Sequence, residues 1–161
     1  TPSPTATPVA VLLPEGQVRS EPGSALQGPA AVQRLVLLAG QPDATEQQPC
    51  DNVPYVFTTW GDLTYGHLEG ADAPFIPAFW ILSATDGGTP ALPKGILLAG
   101  GLDVSMTRQQ VTEQFSVRTI DDGIGMVAVD LDGVDDDYRV TFSGTAPDAT
   151  ITRVGPYEPC A

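Results

Sequence analysis

Apolar residues along the chain follow two periods, one typical of a helix and one typical of strands. Between Pro29 and Ala39 they recur at intervals of three and four residues, which places them on one face of a helix. Pro29 suits the first turn of such a helix, and Gly40 suits the position after its last turn. Farther along, β-branched and aromatic residues dominate the apolar runs. The pattern therefore predicts a helix followed by a series of strands.

Three strand-like runs follow in the first half of the chain. Residues 55–60 and 63–68 are predicted to form a hairpin, because the Gly-Asp pair between them suits a two-residue turn. The third run, 75–82, contains a proline and predicts an edge or bulged strand. The segment 43–51 is predicted to be a loop.

The second half repeats the order of helix and then strands, after a strand-like run at 95–100. Thr107 can cap a helix, and Gln110, three residues later, completes a capping box. These residues predict a short helix that ends near Phe115. Four strands are expected after it, at 116–120, 126–131, 138–143 and 149–154.

The two halves together predict an α+β fold of two tandem units, each a short helix packed on antiparallel strands. Residues 1–14 contain four prolines and three threonines and predict a flexible tether. The first unit is predicted over 15–90 and the second over 91–161. The boundary between them is placed in the Gly- and Pro-containing loop at 85–90.

Charge and hydropathy restrict the partners. The chain has 20 acidic and 7 basic residues and a net charge of −13 at pH 7. Such a protein repels phosphate backbones and anionic membrane surfaces, so nucleic acid is not an expected partner. No apolar run is long enough for a membrane-spanning helix. A protein partner is therefore expected to be basic.

Two cysteines, Cys50 and Cys160, are present. In an acidic chain with a Thr/Pro-rich leader, this pair predicts one structural disulfide that joins the two units. Two free, buried thiols are the alternative. A disulfide predicts an oxidising location, either extracellular or in the cell envelope.

Four segments of the sequence resemble those of a family of uncharacterised secreted proteins and lipoproteins from actinobacteria. They are the helix end that leads to Asp43, the Trp60-Gly61-Asp62-Leu63 run, the segment 101–108 and the closing segment 155–160. Ser105 departs from that pattern, which has glycine there. The tandem order is also similar in outline to the architecture of β-lactamase inhibitory protein. The resemblance implies export and a lipid anchor on a cysteine upstream of Thr1, and it brings no catalytic residues.

His67 is the one histidine of the chain. A Ser/His/Asp triad would need it as the base, but no nucleophile-elbow motif accompanies it. The favoured interpretation is a strand histidine that is hydrogen-bonded to a neighbour. The sequence therefore predicts a protein that is not an enzyme and has no cofactor.

An acidic cluster is the sharpest local signal, and its central residues are Asp130, Asp132, Asp135, Asp136 and Asp137. Asp130, Asp132 and Asp135 form a weak Ca²⁺ candidate, because no glutamate closes the loop as in an EF-hand and the flanking segments are strands. A solvated hairpin turn is the simpler interpretation. The cluster is predicted to be an acidic recognition face.

An aromatic group provides a second candidate surface, formed by Trp60, Tyr65, Phe79 and Trp80. The same residues are equally expected in a core, and the core is the favoured interpretation.

The predicted function is that of an exported cell-envelope protein, a non-enzymatic protein-interaction module whose acidic face binds an envelope protein of basic character. A small-molecule or Ca²⁺-binding protein with a pocket between the two units is one alternative. An enzyme of unrecognised type is another.

Overall fold

The computed structural model describes residues 9–14, 16–21, 25–50, 52–69, 78–131 and 137–156. They form two β-sheets, two α-helices and two short 3-10 turns. In chain order the strands and helices are β1 (Val9–Leu12), β2 (Val18–Glu21), β3 (Ala25–Leu26), α1 (Pro29–Ala39), β4 (Ala44–Cys50), β5 (Val53–Trp60), β6 (Leu63–Leu68), β7 (Phe79–Ser83), β8 (Ile96–Leu98), α2 (Arg108–Gln114), β9 (Ser116–Asp121), β10 (Met126–Asp130), β11 (Asp137–Phe142) and β12 (Ile151–Gly155).

The larger sheet has eight antiparallel strands in the order β4-β5-β6-β7-β12-β11-β10-β9. Four consecutive strands come from each half of the chain. The two groups meet where β7 pairs with β12, through Ser83 opposite Arg153 and Leu82 opposite Val154. One sheet therefore runs through both halves.

The smaller sheet has the order β3-β2-β1-β8, and its central strand β1 pairs in parallel with β8. Ala10 and Leu12 in β1 are completely buried. The apolar run from Val9 to Leu13 explains this position, because a strand with neighbours on both sides can bury nearly every side chain.

A shared apolar core joins the two sheets and the two helices. It includes Leu12 of the smaller sheet, Leu35 of α1, Val111 of α2 and Val140 of the larger sheet, all of which are completely buried. Two aromatic side chains also tie the sheets together. The indole N–H of Trp80 donates to the Leu13 carbonyl over 2.8 Å, and the Tyr138 hydroxyl donates to the Leu12 carbonyl.

Several local predictions are confirmed. Helix α1 has the predicted bounds, and Gly40 after it adopts a positive φ of 91°. The β5–β6 hairpin turns at Gly61-Asp62. Thr107 and Gln110 form the predicted capping box at the start of α2. The four strands predicted after α2 are β9 to β12, with ends that differ by one or two residues.

The predicted fold class is wrong. Strands outnumber helices by twelve to two among the described residues, so this part of the chain is mostly β rather than α+β. The layout of two helix-plus-sheet units is not shown, because the pairing of β7 with β12 joins the strands of both halves into one sheet that shares one core.

The predicted disulfide is not shown either. Cys50 is buried and is not a free thiol, and Cys160 lies outside the described residues.

Two other predictions are corrected. The tether predicted over 1–14 includes Val9–Leu12, which form the buried strand β1; residues 1–8 lie outside the described part. The loop predicted over 43–51 contains β4, which pairs with β5 along seven residues. Six of its seven residues are exposed, so its sequence lacks the apolar alternation that predicts a strand.

Candidate functional site

Between residues 121 and 137, the aspartates that the structure describes lie at the two ends of strand β10. Asp130, at the end of β10, lies opposite Asp137, at the start of β11. Asp121 lies opposite Met126 at the other end of β10, and Asp122 follows it. Met126 and Asp130 are four residues apart, which corresponds to about 13 Å along a strand. The aspartates that the structure describes in this segment therefore form two separate groups in the fold.

At the Asp130 end, two carboxylates face each other across neighbouring strands. Asp137 is held by Arg118 of β9, whose Nη2 lies 3.0 Å from its Oδ2. Asp130 is exposed. Asp132, Asp135 and Asp136, which follow Asp130 in the sequence, lie outside the described residues. We call the pair Asp130 and Asp137 the acidic strand ends.

The Ca²⁺ candidate is not tested by the structure, because Asp132 and Asp135 lie outside the described residues. Within the part of the chain that the structure describes, no three Cys, His, Asp or Glu side chains are grouped in a way that could hold a metal ion.

The predicted aromatic patch is not a surface. Trp60, Tyr65, Phe79 and Trp80 are all at most 4% exposed. The Trp60 indole donates to the Gly40 carbonyl over 2.9 Å. Phe79 packs beside the rings of neighbouring aromatic residues in a small second cluster on the larger sheet. These side chains belong to the core, as the favoured interpretation of the sequence predicted.

His67 occupies the position predicted for a structural histidine. Its side chain is 9% exposed on β6, and Nδ1 lies 2.8 Å from the Leu68 carbonyl oxygen. The ring also packs beside Tyr65, with 6.2 Å between the ring centroids. The hydrogen bond to a neighbouring residue is confirmed.

A cavity of about 340 Å³ lies at the end of the β5–β6 hairpin, and it was not predicted from the sequence. Three segments line it: the residues after α1, the hairpin turn and residues 91–94. Two aspartates hold these segments together. Asp43 Oδ2 accepts from the Gly61 N–H over 2.6 Å, and Asp62 Oδ2 accepts from the Ala91 N–H over 2.9 Å. We call this space the hairpin-end cavity.

The hairpin-end cavity combines polar and apolar walls. Lys94, the one lysine of the chain, lines it together with the carboxylates of Asp43 and Asp62. Trp60 and Leu92 supply apolar wall. Since the lining segments are far apart along the chain, no local motif could have identified the cavity.

Two arginines on neighbouring strands line a smaller cavity of about 170 Å³ on the larger sheet. Arg139 of β11 and Arg153 of β12 contribute to it together with Thr141, Met126 and Ile81. The alternation of β11 could have shown that Arg139 and Thr141 share a face. Their neighbour across the ladder, Arg153, could be assigned only once the pairing of β11 with β12 was known.

Comparisons with known proteins give no assignment. No protein family matches the chain, no curated protein matches it, and no solved structure matches its fold. The resemblance to secreted actinobacterial proteins and to β-lactamase inhibitory protein therefore stays a prediction. No helix among the described residues is long and apolar enough to cross a membrane.

Proposed function

We propose that this protein is a non-enzymatic interaction module of the cell envelope that binds a basic protein partner through an acidic surface. The acidic strand ends carry the proposal. Like charges directly opposite each other on neighbouring strands destabilise a sheet, and Asp130 and Asp137 are such a pair. Arg118 contacts Asp137, whereas Asp130 remains exposed. A cationic group of a partner placed here would relieve the repulsion.

The composition supports the same proposal. With a net charge of −13, the protein attracts basic partners over the range of the Debye length, about 8–10 Å at ordinary salt. Charge of this kind speeds encounter and favours basic partners over acidic ones. The export and envelope location belong to the proposal and rest on the Thr/Pro-rich leader and on the sequence resemblance.

The test compares two double variants with the same change in net charge. Asp130→Asn with Asp137→Asn removes the acidic strand ends, and Asp86→Asn with Asp148→Asn neutralises two exposed aspartates elsewhere. Binding of fluorescein-labelled hexalysine is measured by anisotropy at low and high salt. We expect the first pair to weaken binding about tenfold and the second pair about twofold or less. Equal losses would show that only net charge matters and would overturn the acidic surface.

The hairpin-end cavity favours a second candidate function, the binding of a small polar molecule between the two halves of the chain. Its volume of about 340 Å³ lies at the lower end of the usual range for ligand sites, about 300–1,000 Å³. An ammonium group, two carboxylates and an apolar wall can bind a molecule that carries both hydroxyl groups and charge.

A thermal-shift screen of metabolites and metal ions tests this second function. A ligand of the cavity should raise the melting temperature of the wild-type protein but not that of Ala91→Phe, which fills the space. Leu97→Phe, on an exposed position of β8, is the matched control and should keep the shift. A shift that survives Ala91→Phe would locate the ligand elsewhere.

A further inference from the structure

The larger sheet has two edge strands, β4 and β9, which differ in how readily another chain could pair with them. Edge strands expose unpaired N–H and C=O groups that can pair with another chain. Strand β4 contains Pro49, which has no N–H to donate to a further strand. Strand β9 contains no proline, and five of its six residues are exposed. Within the described ranges no strand pairs with its outer edge.

Strand β9 is regular over four residues and then bulges. Val117 and Thr119 lie opposite Val129 and Val127, whereas Asp121 lies opposite Met126, so Ile120 has no partner. The regular edge therefore runs from Ser116 to Thr119. A strand of about four residues could pair with it, since strands rise about 3.3 Å per residue and pair one to one.

An apolar contact point lies beside this edge. Four large hydrophobic side chains are exposed among the described residues. Two of them are close in the chain: Ile120, at 37%, is in β9, and Ile124, at 52%, is in the 3-10 turn that follows it. Side chains of an added strand can pack against such a point, which gives contact area beyond the main-chain hydrogen bonds.

The charges around β9 indicate what kind of chain would pair there. Asp121 and Asp122 are exposed at one end of the strand, and Asp130 lies opposite Ser116 at the other. Arg118 of the strand is 3.0 Å from Asp137, and Arg108 of α2 is 4.0 Å from Asp122, which stays exposed. A second copy of this protein is disfavoured, because each copy carries a net charge of −13. An extended segment with basic side chains is electrostatically complementary.

We propose that β9 is a docking edge, to which an extended basic segment of a partner protein adds as a ninth strand of the larger sheet. Main-chain hydrogen bonds to Ser116–Thr119 supply the affinity, and basic side chains that reach Asp121, Asp122 and Asp130 supply the preference for this partner. The inference rests on the proposed function, because it describes how the basic partner binds.

Two peptide probes with the same side chains separate strand addition from charge attraction. Both contain nine residues that alternate lysine with threonine or valine. One, the natural peptide, has an ordinary backbone, and the other is N-methylated at every residue, so it keeps the charges but cannot donate the main-chain hydrogen bonds of a strand. Anisotropy should show the natural peptide binding about tenfold more tightly. Hydrogen exchange should show new protection of backbone amides within β9 in the presence of the natural peptide alone.

Two protein variants provide the matched control. Ile120→Lys adds a positive charge beside the docking edge, and Thr45→Lys adds the same charge on the opposite edge strand β4. We expect Ile120→Lys to weaken binding of the natural peptide about tenfold and Thr45→Lys to change it by about twofold or less.

Three outcomes would overturn one or both of the proposals. If the two peptides bind equally and lose affinity in the Asp130→Asn, Asp137→Asn variant, strand addition is wrong and the acidic surface stands. If the natural peptide protects amides of β4 rather than β9, the docking edge is wrong. If neither peptide binds, the docking edge and the acidic surface are both wrong.

Discussion

Tyr138 connects three strands through one hydroxyl group. It donates to the carbonyl of Leu12 at the end of β1 and accepts from the N–H of Ala99 after β8 over 2.7 Å. The residue is completely buried, so removing its hydroxyl takes one hydrogen-bond partner from each of these two backbone groups. The cost of an unsatisfied buried group is about 1–3 kcal/mol.

Tyr138→Phe is therefore expected to lower the free energy of unfolding by about 2–4 kcal/mol. Tyr65→Phe is the comparison, because Tyr65 is equally buried and its hydroxyl accepts a hydrogen bond from the Gly28 N–H over 3.0 Å. Its loss should be smaller, about 1–2 kcal/mol. Urea unfolding of both variants measures the difference, and equal losses would contradict the role of Tyr138 as the link between the sheets.

Tyr65 also gives the protein a pH dependence at alkaline pH. Burial raises its pKa from 10.0 to about 12, although the hydrogen bond from Gly28 lowers it. The folded state therefore favours the neutral phenol more strongly than the unfolded state does. This stabilisation is fully present below pH 10 and is lost as the pH rises from 10 toward 12.

The measurement is the free energy of unfolding of the wild type and of Tyr65→Phe between pH 9 and pH 12. The wild type should lose more stability over this range, because phenylalanine does not titrate. All other groups are the same in the two proteins, so the difference between the two curves isolates Tyr65. Parallel curves would show that Tyr65 does not contribute.

Strand β1 is the element that differs most from its prediction. We expect Leu12→Ala to lower the free energy of unfolding by about 2–5 kcal/mol, because Leu12 is completely buried and leaves a cavity. Leu97→Ala on the neighbouring strand β8 is the control, since Leu97 is 51% exposed and should cost less than about 1 kcal/mol. A small loss for Leu12→Ala would support a tether at this position after all.

Elements that are specified by residues close together in the chain were predicted correctly. Elements that form only by pairing with another strand were not. The capping box of α2 involves residues three apart, so Thr107 and Gln110 could be recognised directly. Ser105 before it, which departs from the resembling family, donates to Asp103 Oδ1 from both its N–H and its hydroxyl. Strand β4 is polar and exposed, and only its pairing with β5 makes it a strand.

At the scale of the molecule, the shared sheet predicts a single unfolding transition. Trp80 of the first half and Tyr138 of the second pack edge to face, with 5.6 Å between their centroids. The β7–β12 pair continues the sheet between the halves. Thermal unfolding followed by tryptophan fluorescence and by far-UV circular dichroism should therefore give coincident curves. Two separate transitions would restore the prediction of independent units.

Some features of the candidate site, like some elements of the fold, could be predicted from neighbouring residues, and others depend on contacts between distant segments. The acidic character of the chain and the approximate positions of β10 and β11 were evident in the sequence, because charge and alternation are properties of neighbouring residues. The predicted strand 138–143 began one residue after Asp137. That Asp130 and Asp137 lie opposite each other depends on the register of β10 and β11. The hairpin-end cavity and the open edge of β9 depend on contacts between distant segments.

The sequence by itself determined helix α1, the β5–β6 hairpin, the capped start of α2 and the strands that follow it. Each of these follows from side-chain periodicity or turn chemistry within about ten residues. Only the tertiary structure decided that β7 meets β12, that β1 is buried between β2 and β8, and that β9 remains at an edge. Which strands pair is decided by burial and hydrogen bonding between residues far apart in the chain, and a local sequence pattern does not contain that information.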